Sequence, residues 1–391
     1  MRLMIIILFL LFSTSRFVAF AYDFEADDIY IYYNIVDKDK KLIEVTSGKD
    51  CYGDIEIPLT ISYDGIDYSV TTIGENAFDG CTGLTSITIP NSVTTIGENA
   101  FSGCTGLTSI TIPNSVTAIG ENAFLGTGWF DAQPDGVLYL DNCCLGYKGE
   151  TDSVDSVIIE KGTRFVTNNA FEGYYALKTV SIPNSVTSIG EAAFRGCVAL
   201  RNVDLPDSIS EIGKWAFTGC TSLDNVSIPN SVTSIGEAAF RGCIALKNVD
   251  LPDSISEIGK WAFTGCTNLD SVSIPNSVSS IGEWAFSRCG NLTKVEIPSS
   301  VTNIGEWSFS YCPRLNIAKI PDSVKAIGEG AFWGCSSITE MTIPNSVSEI
   351  GENAFDFCSG LKIVSIEGKS TKYYPNTFDK YTKIIKPVNE E

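Results

Sequence analysis

Phenylalanine recurs along this chain at Phe78, Phe101 and Phe124, then at Phe171, Phe194, Phe217, Phe240, Phe263, Phe286, Phe309, Phe332 and Phe355. Every step is 23 residues except the one from Phe124 to Phe171, which is 47. These are twelve recognisable units, with a degenerate one in the gap and Phe378 one further period along. A unit of that length cannot bury its apolar residues alone, so neighbours must stack and the core must grow in one dimension. A longer period overlies the short one. Residues 184–229 and 230–275 differ only at Val198/Ile244, Arg201/Lys247, Ser222/Asn268 and Asn225/Ser271, the mark of a duplicated two-coil block.

Residues 84–106 show what one coil asks for. Ile87 and Ile89 alternate with polar residues, so this stretch is expected to be the single strand of the coil. Pro90 ends it and Asn91-Ser92 turns the chain. Val93 and Ile96 return to the core. Gly97, repeated in eleven of the twelve units with Thr167 the exception, supplies either an unusual backbone shape or room for close approach. Residues 98–101 are expected to make one helical turn with Ala100 and Phe101 inward, so that the Phe rings stack into a spine.

Composition removes several chemistries. There is no histidine, which excludes a Ser-His-Asp triad, a Cys-His pair and an HExxH zinc site. Lys and Arg number 27 against 47 Asp and Glu, a formal charge of −20, and nucleic acid is not an expected partner. Residues 1–21 resemble a signal peptide. Arg2 precedes the apolar run Leu3 to Phe12, and Ala19-Phe20-Ala21 has the form of a cleavage site. Cleavage would remove Arg2 and Arg16 and bring the charge to −22. No later segment has the length and apolarity of a transmembrane helix.

The pattern P-x-S-V-x-x-I-G-x-x-A-F-x-G-C-x-x-L-x-x-V-x-I resembles the BspA-like, or Treponema pallidum-type, leucine-rich repeat, whose 20–29-residue range includes this period. The resemblance spans residues 68–367, about three quarters of the chain. Tyr22 to Ile35 resembles the mature N-terminus of such proteins from Bacteroidales-type bacteria, and Trp129 to Gly149 resembles the family's irregular coil. The resemblance implies a secreted or cell-surface solenoid linked with adhesion to host proteins or other microbes. The expected fold class is therefore an α/β, mostly β, leucine-rich-repeat solenoid of about 13 right-handed coils. A parallel sheet would form its concave face, and turns or single helical turns its convex face. The expected domains are an N-terminal β cap at 22–67, the solenoid at 68–367 with an irregular insert at about 125–160, and a C-terminal cap or tail at 368–391. Asp64-Gly65 between Ile61-Ser62-Tyr63 and Ile66-Asp67-Tyr68 predicts a type I′ hairpin in the first cap.

Ten of the 13 cysteines sit three residues after a repeat Phe: Cys81, Cys104, Cys197, Cys220, Cys243, Cys266, Cys289, Cys312, Cys335 and Cys358. They are expected to be buried free thiols, because Thr127 and Tyr174 take the same slot and Cys packs as a small hydrophobe. Cys51, Cys143 and Cys144 lie outside the ladder, and a local disulfide among them is open. One cysteine per coil does not suit a zinc site, calcium-binding repeats are absent, and no cofactor or metal is implied. Scattered carboxylates invite comparison with glycosidases, but no non-repeated segment is expected to supply a pocket, and no catalytic residue is assigned.

Two faces remain as candidates. The outward strand positions are small hydroxyls in the first unit. In the middle units they become Arg201, Asp204, Asp224, Lys247, Asp250, Asp270, Lys294, Glu296 and Lys319, a mixed-charge surface suited to a protein ligand. The slot two before Phe holds Trp215, Trp261, Trp284 and Trp307, where earlier units have Asn76, Asn99 and Asn122. Such a stripe either binds glycan or protein, or is simply rings packed on each other. One slot earlier, Glu191, Lys214, Glu237, Lys260 and Glu283 alternate in sign and can pair between coils. The expected function is non-catalytic protein–protein recognition through the sheet face, with carbohydrate binding or a structural spacer as the alternatives.

Overall fold

The computed structural model describes residues 22–25, 31–46, 51–317 and 319–387, so the leader expected at 1–21 and residues 388–391 lie outside the described residues. The chain winds as a mostly β, parallel solenoid of about 15 turns at the repeat spacing. That exceeds the expected 13 because both ends coil as well. Leu42–Thr46 and Tyr52–Glu56 pair in parallel with Ile66–Ile73 and Gly83–Thr88. At the other end Lys372–Tyr373 and Lys383–Ile385 pair in parallel with Glu349–Ile350 and Ile363–Ile366. The Asp64-Gly65 hairpin forms as expected, with Tyr63 opposite Ile66 and both turn residues at positive φ.

Most regular coils carry two strands rather than one, although residues 107–112 form no first strand. The first is the expected strand, as in Asn202–Asp204, whose register on Asn225–Ser227 is a shift of one repeat. The second is a two-residue strand around the repeat Ile, such as Glu211–Ile212 on Ser234–Ile235. The sequence hides it because it has no alternation to show; its partner is the next coil, not its own neighbours. The helical turn expected at residues 98–101 does not form. Asn99 has φ 51°, in the left-handed region, so the chain turns there instead of continuing a helix. A third row of backbone bonds runs along these turns, for example Trp215 N to Glu237 O at 2.8 Å, Phe217 N to Ala239 O at 2.8 Å and Gly219 N to Arg241 O at 2.7 Å. Gly97 is needed for close approach, not for an unusual φ: a Cβ there would lie 2.6 Å from the backbone of Gly74 and Glu75.

Between the ladders lies the core. The Phe rings stack nearly parallel from coil to coil, with centroids 5.1 Å apart at Phe332–Phe355 and 5.6 Å at Phe101–Phe124. Nine of the ladder cysteines are free and buried, as expected. Each donates its S–H to the carbonyl of the Phe one coil earlier, as Cys243 does to Phe217 at 3.2 Å. Burial pushes the Cys104 thiol up to about 11 and that of Cys197 up to about 12. Cys81 is the exception. It is joined to Cys51, which occupies the corresponding place in the turn before, with Cα atoms 5.4 Å apart. The disulfide thus takes a ladder cysteine, while Cys143 and Cys144 are free and buried.

The stack is interrupted once. Between Phe124 and Phe171 the chain makes a short helix, Gly128–Asp131, capped by the Thr127 hydroxyl. It then makes an antiparallel hairpin of Gly136–Leu140 with Cys143–Lys148. Cys143 and Cys144 of the hairpin serve as the second strand of the missing coil, paired in parallel with Phe165 and Val166. Among the described residues no ring stacks in parallel across this step: Phe124 meets Trp129 edge-on, and Phe171 meets Tyr174 edge-on. The buried apolar residues accordingly fall into two clusters that meet at the hairpin.

Candidate functional site

The first strands place all nine charged candidates on one face. Hydrogen bonding divides these strands between two sheets, one ending at Asn225–Ser227 and the next running from Asn248–Asp250 to Lys294–Glu296, with Lys319 in an isolated bridge beyond them. The middle residue of each three-residue strand, such as Val203, Val249 or Val295, is buried, so the residues on either side must face solvent. The register sorts the nine into rows. Arg201, Asp224, Lys247 and Asp270 share the position just before the strand, linked by Asp224 N to Arg201 O at 3.1 Å and Asp270 N to Lys247 O at 2.9 Å. Asp204, Asp250, Glu296 and Lys319 share the last strand position, and Lys294 takes the first. At about 4.8 Å per coil the first row alternates plus and minus every rung. In the second row the acids recur on every other coil, an echo of the two-coil duplication. Among the described residues only Lys319 of the nine makes an ion pair, with Asp322 at 3.5 Å. Asp270 accepts a bond from the Thr293 hydroxyl. The others leave their charges to solvent. Asn268, Asn291 and Arg314 extend this face as a side-chain ladder: Asn291 donates to Asn268 at 3.3 Å and Arg314 to Asn291 at 3.0 Å. This ladder was not foreseen, since one polar residue per coil looks unremarkable until the register stacks it.

The turn face carries the tryptophans. Trp215, Trp261, Trp284 and Trp307 all sit at left-handed φ between 54° and 57°, where Asn76, Asn99 and Asn122 also lie. Asn tolerates that region; a bulky side chain is strained there by about 1–2 kcal/mol. Trp284 and Trp307 are stacked, with centroids 5.2 Å apart. The Trp307 ring lies over Gly330, where a Cβ would stand 2.5 Å from it. Trp261 instead receives Lys260 over its ring at 4.5 Å, and Trp215 has no ring contact among the described residues. The structure also adds aromatics not anticipated from the repeat. Trp333 contacts Tyr311 at 4.4 Å and Phe357 at 4.7 Å, both of them exposed. Tyr311 and Phe357 occupy the second left-handed slot, which is Gly in most coils, and that departure from Gly was the available signal. Of the alternating charges beside this stripe, Lys260 pairs with Glu283 at 2.5 Å, which raises the lysine's pKa.

The two ladders, the Phe spine and the free cysteine row define a leucine-rich-repeat solenoid. Six copies of the BspA type leucine rich repeat region match residues 60–129, 147–270 and 257–385, and the chain belongs to that family. A leucine-rich repeat protein from Bacteroides ovatus is similar at 29% identity and a TM-score of 0.51, covering 94% of this chain and 100% of that one. A leucine rich cell surface protein from Faecalibacterium prausnitzii is 27% identical with a TM-score of 0.44, covering 88% and 95% of the two chains. The pneumococcal vaccine antigen PcpA is 17% identical with a TM-score of 0.47, covering 92% of each. No curated protein matches the sequence. The family's general role is protein–protein recognition. Among the described residues no helix is long and apolar enough to cross a membrane.

Proposed function

We propose that this chain is a non-catalytic, exported recognition protein that binds a protein ligand, in the manner of an adhesin, through the charged first-strand sheet. The observation that carries this is the set of rows themselves. Their charges stand at fixed strand spacing and are mostly unpaired within the fold, while the buried residues between them do not vary in character. Many weak contacts spread over several coils then add up, with electrostatics setting partner choice and encounter rate. Residues 1–21 would export the chain and residues 22–67 and 368–391 would cap its core. The apolar run after Arg2 and the Ala19-Phe20-Ala21 site support an extracellular place.

A second reading rests on a separate observation. Four tryptophans held at left-handed φ are strained, and such strain gathers where a side chain is kept for binding. That stripe would take glycan. The test is one array of extracellular-matrix proteins and glycans. It is probed with the wild type, the triple charge reversal Asp204→Lys, Asp250→Lys, Glu296→Lys, and the triple Trp261→Asn, Trp284→Asn, Trp307→Asn. Protein capture lost only in the charge reversal is expected. Glycan capture lost only in the Trp variant would replace the first reading with the second.

A further inference from the structure

The place of the missing coil is a cavity of about 220 Å³, walled by Phe124, Phe130, Leu145, Tyr147, Ala170 and Tyr174. This corrects the expectation that no non-repeated segment supplies a pocket: the insert does. In the regular coils on either side the turn backbone is fully used. Asn99, Phe101 and Gly103 donate to Glu121, Ala123 and Leu125, and Asn169, Phe171 and Gly173 donate to Glu191, Ala193 and Arg195. Across the cavity this row stops. Among the described residues the amides of Asn122, Phe124 and Gly126 have no acceptor, and the carbonyls of Asn168 and Glu172 have no donor. One corner is closed, where Asn168 N reaches Ile119 O at 3.2 Å and the Asn169 side chain donates to Glu121 at 2.7 Å. The gap is therefore a notch with an aromatic floor and unpaired backbone on its lips. Among the described residues Glu121 is the one charged residue lining it.

We infer that this notch is a docking site for an aromatic residue of a partner polypeptide, with a basic residue beside it. The ring would enter beside Phe124, where the first run of stacked Phe rings ends, between the walls of Phe124 and Tyr174. The size fits, since an apolar cavity of about 150 Å³ already takes a benzene ring. A free hydrocarbon would leave the lips unsatisfied. A peptide would not: its carbonyls accept from the amides of Asn122 and Phe124, and its amides donate toward the Asn168 carbonyl, all of which line the cavity, as the absent coil would have done. Glu121 favours a Lys or Arg next to the ring and disfavours an acid. The inference rests on the recognition reading only in taking the partner as a polypeptide, because the notch and the charged sheet use different residues.

The test uses the chain from residue 22 and N-acetyl-Phe-Lys-amide, with N-acetyl-Gly-Lys-amide and toluene as comparisons, read by calorimetry and ligand-observed NMR. The Phe probe is expected to bind about tenfold more tightly than the Gly probe, as a buried ring implies. Two variants that fill the cavity, Ala170→Leu and Leu145→Trp, are expected to abolish that difference while still unfolding cooperatively; Leu145 is only half-buried, so its variant serves if the other fails to fold. Equal affinity for the Phe and Gly probes, unchanged binding in the filled variants, or toluene bound as tightly as the Phe probe would each overturn the inference. Any of these would leave the array result for the charge-reversal triple, and the recognition reading with it, untouched.

Discussion

Replacing Phe240 by Ala removes a fully buried ring held between Phe217 at 5.4 Å and Phe263 at 5.5 Å. Such a truncation costs about 3–5 kcal/mol, because the packed neighbours cannot collapse into the space. Each stacked neighbour contributes about 0.5–1.5 kcal/mol beyond simple burial. Phe124 fills the same slot of the repeat, yet among the described residues only Phe101 lies parallel to it; its other side meets Trp129 edge-on and borders the cavity. Phe124→Ala forfeits one parallel stack instead of two and enlarges space that already exists. Its cost should be lower by about 1 kcal/mol. Urea unfolding followed by far-UV circular dichroism, with the slope unchanged between variants, reads both values. If Phe124→Ala destabilises as much as Phe240→Ala, the Phe spine is energetically continuous and its interruption after Phe124 has no consequence.

Further outcomes concern the disulfide, the thiols and the turns. Reducing the Cys51–Cys81 bond, which closes a separation of 30 residues, should destabilise the N-terminal end by about 3–4 kcal/mol, seen as a lower melting temperature with reductant and absent in Cys81→Ser. The ladder thiols titrate higher when folded than when unfolded, so they add stability below the ordinary thiol pKa near 9, and this is lost as pH rises through about 11 to 12. Native protein should be inert to a thiol reagent at pH 8, and rapid labelling of Cys243 or Cys266 without unfolding would refute their burial. Gly236→Ala should destabilise by more than about 2 kcal/mol, since its Cβ would stand 2.5 Å from the amide nitrogen of Lys214, whereas Trp307→Asn should stay within about 1 kcal/mol because relief at left-handed φ offsets the lost stack; melting curves distinguish the two.

Much of the fold was legible because the repeat states one coil many times. The inward Phe, Ile, Val and Cys, the outward charges and the hairpin at Asp64-Gly65 follow from local pattern. The second strand, the left-handed turns and the Cys51–Cys81 pairing were not legible. Each depends on the neighbouring coil: a two-residue strand has no periodicity of its own, and a disulfide needs two slots brought within bonding distance. The candidate site divides the same way. Charge on the strands could be read one residue at a time, but the rows exist only after stacking. Tyr311 and Phe357 join Trp333 only because coils 23 residues apart become neighbours.

The sequence by itself determined the unit, its period and which side chains it buries, since those follow from polarity along a chain that must stack to shed water. Tertiary structure alone decided what happens where the period breaks. A 47-residue step from Phe124 to Phe171 reads as two coils plus one residue, but the hairpin there supplies a second strand and no turn. The backbone groups of that turn, and the ring it would have carried, are what the notch lacks.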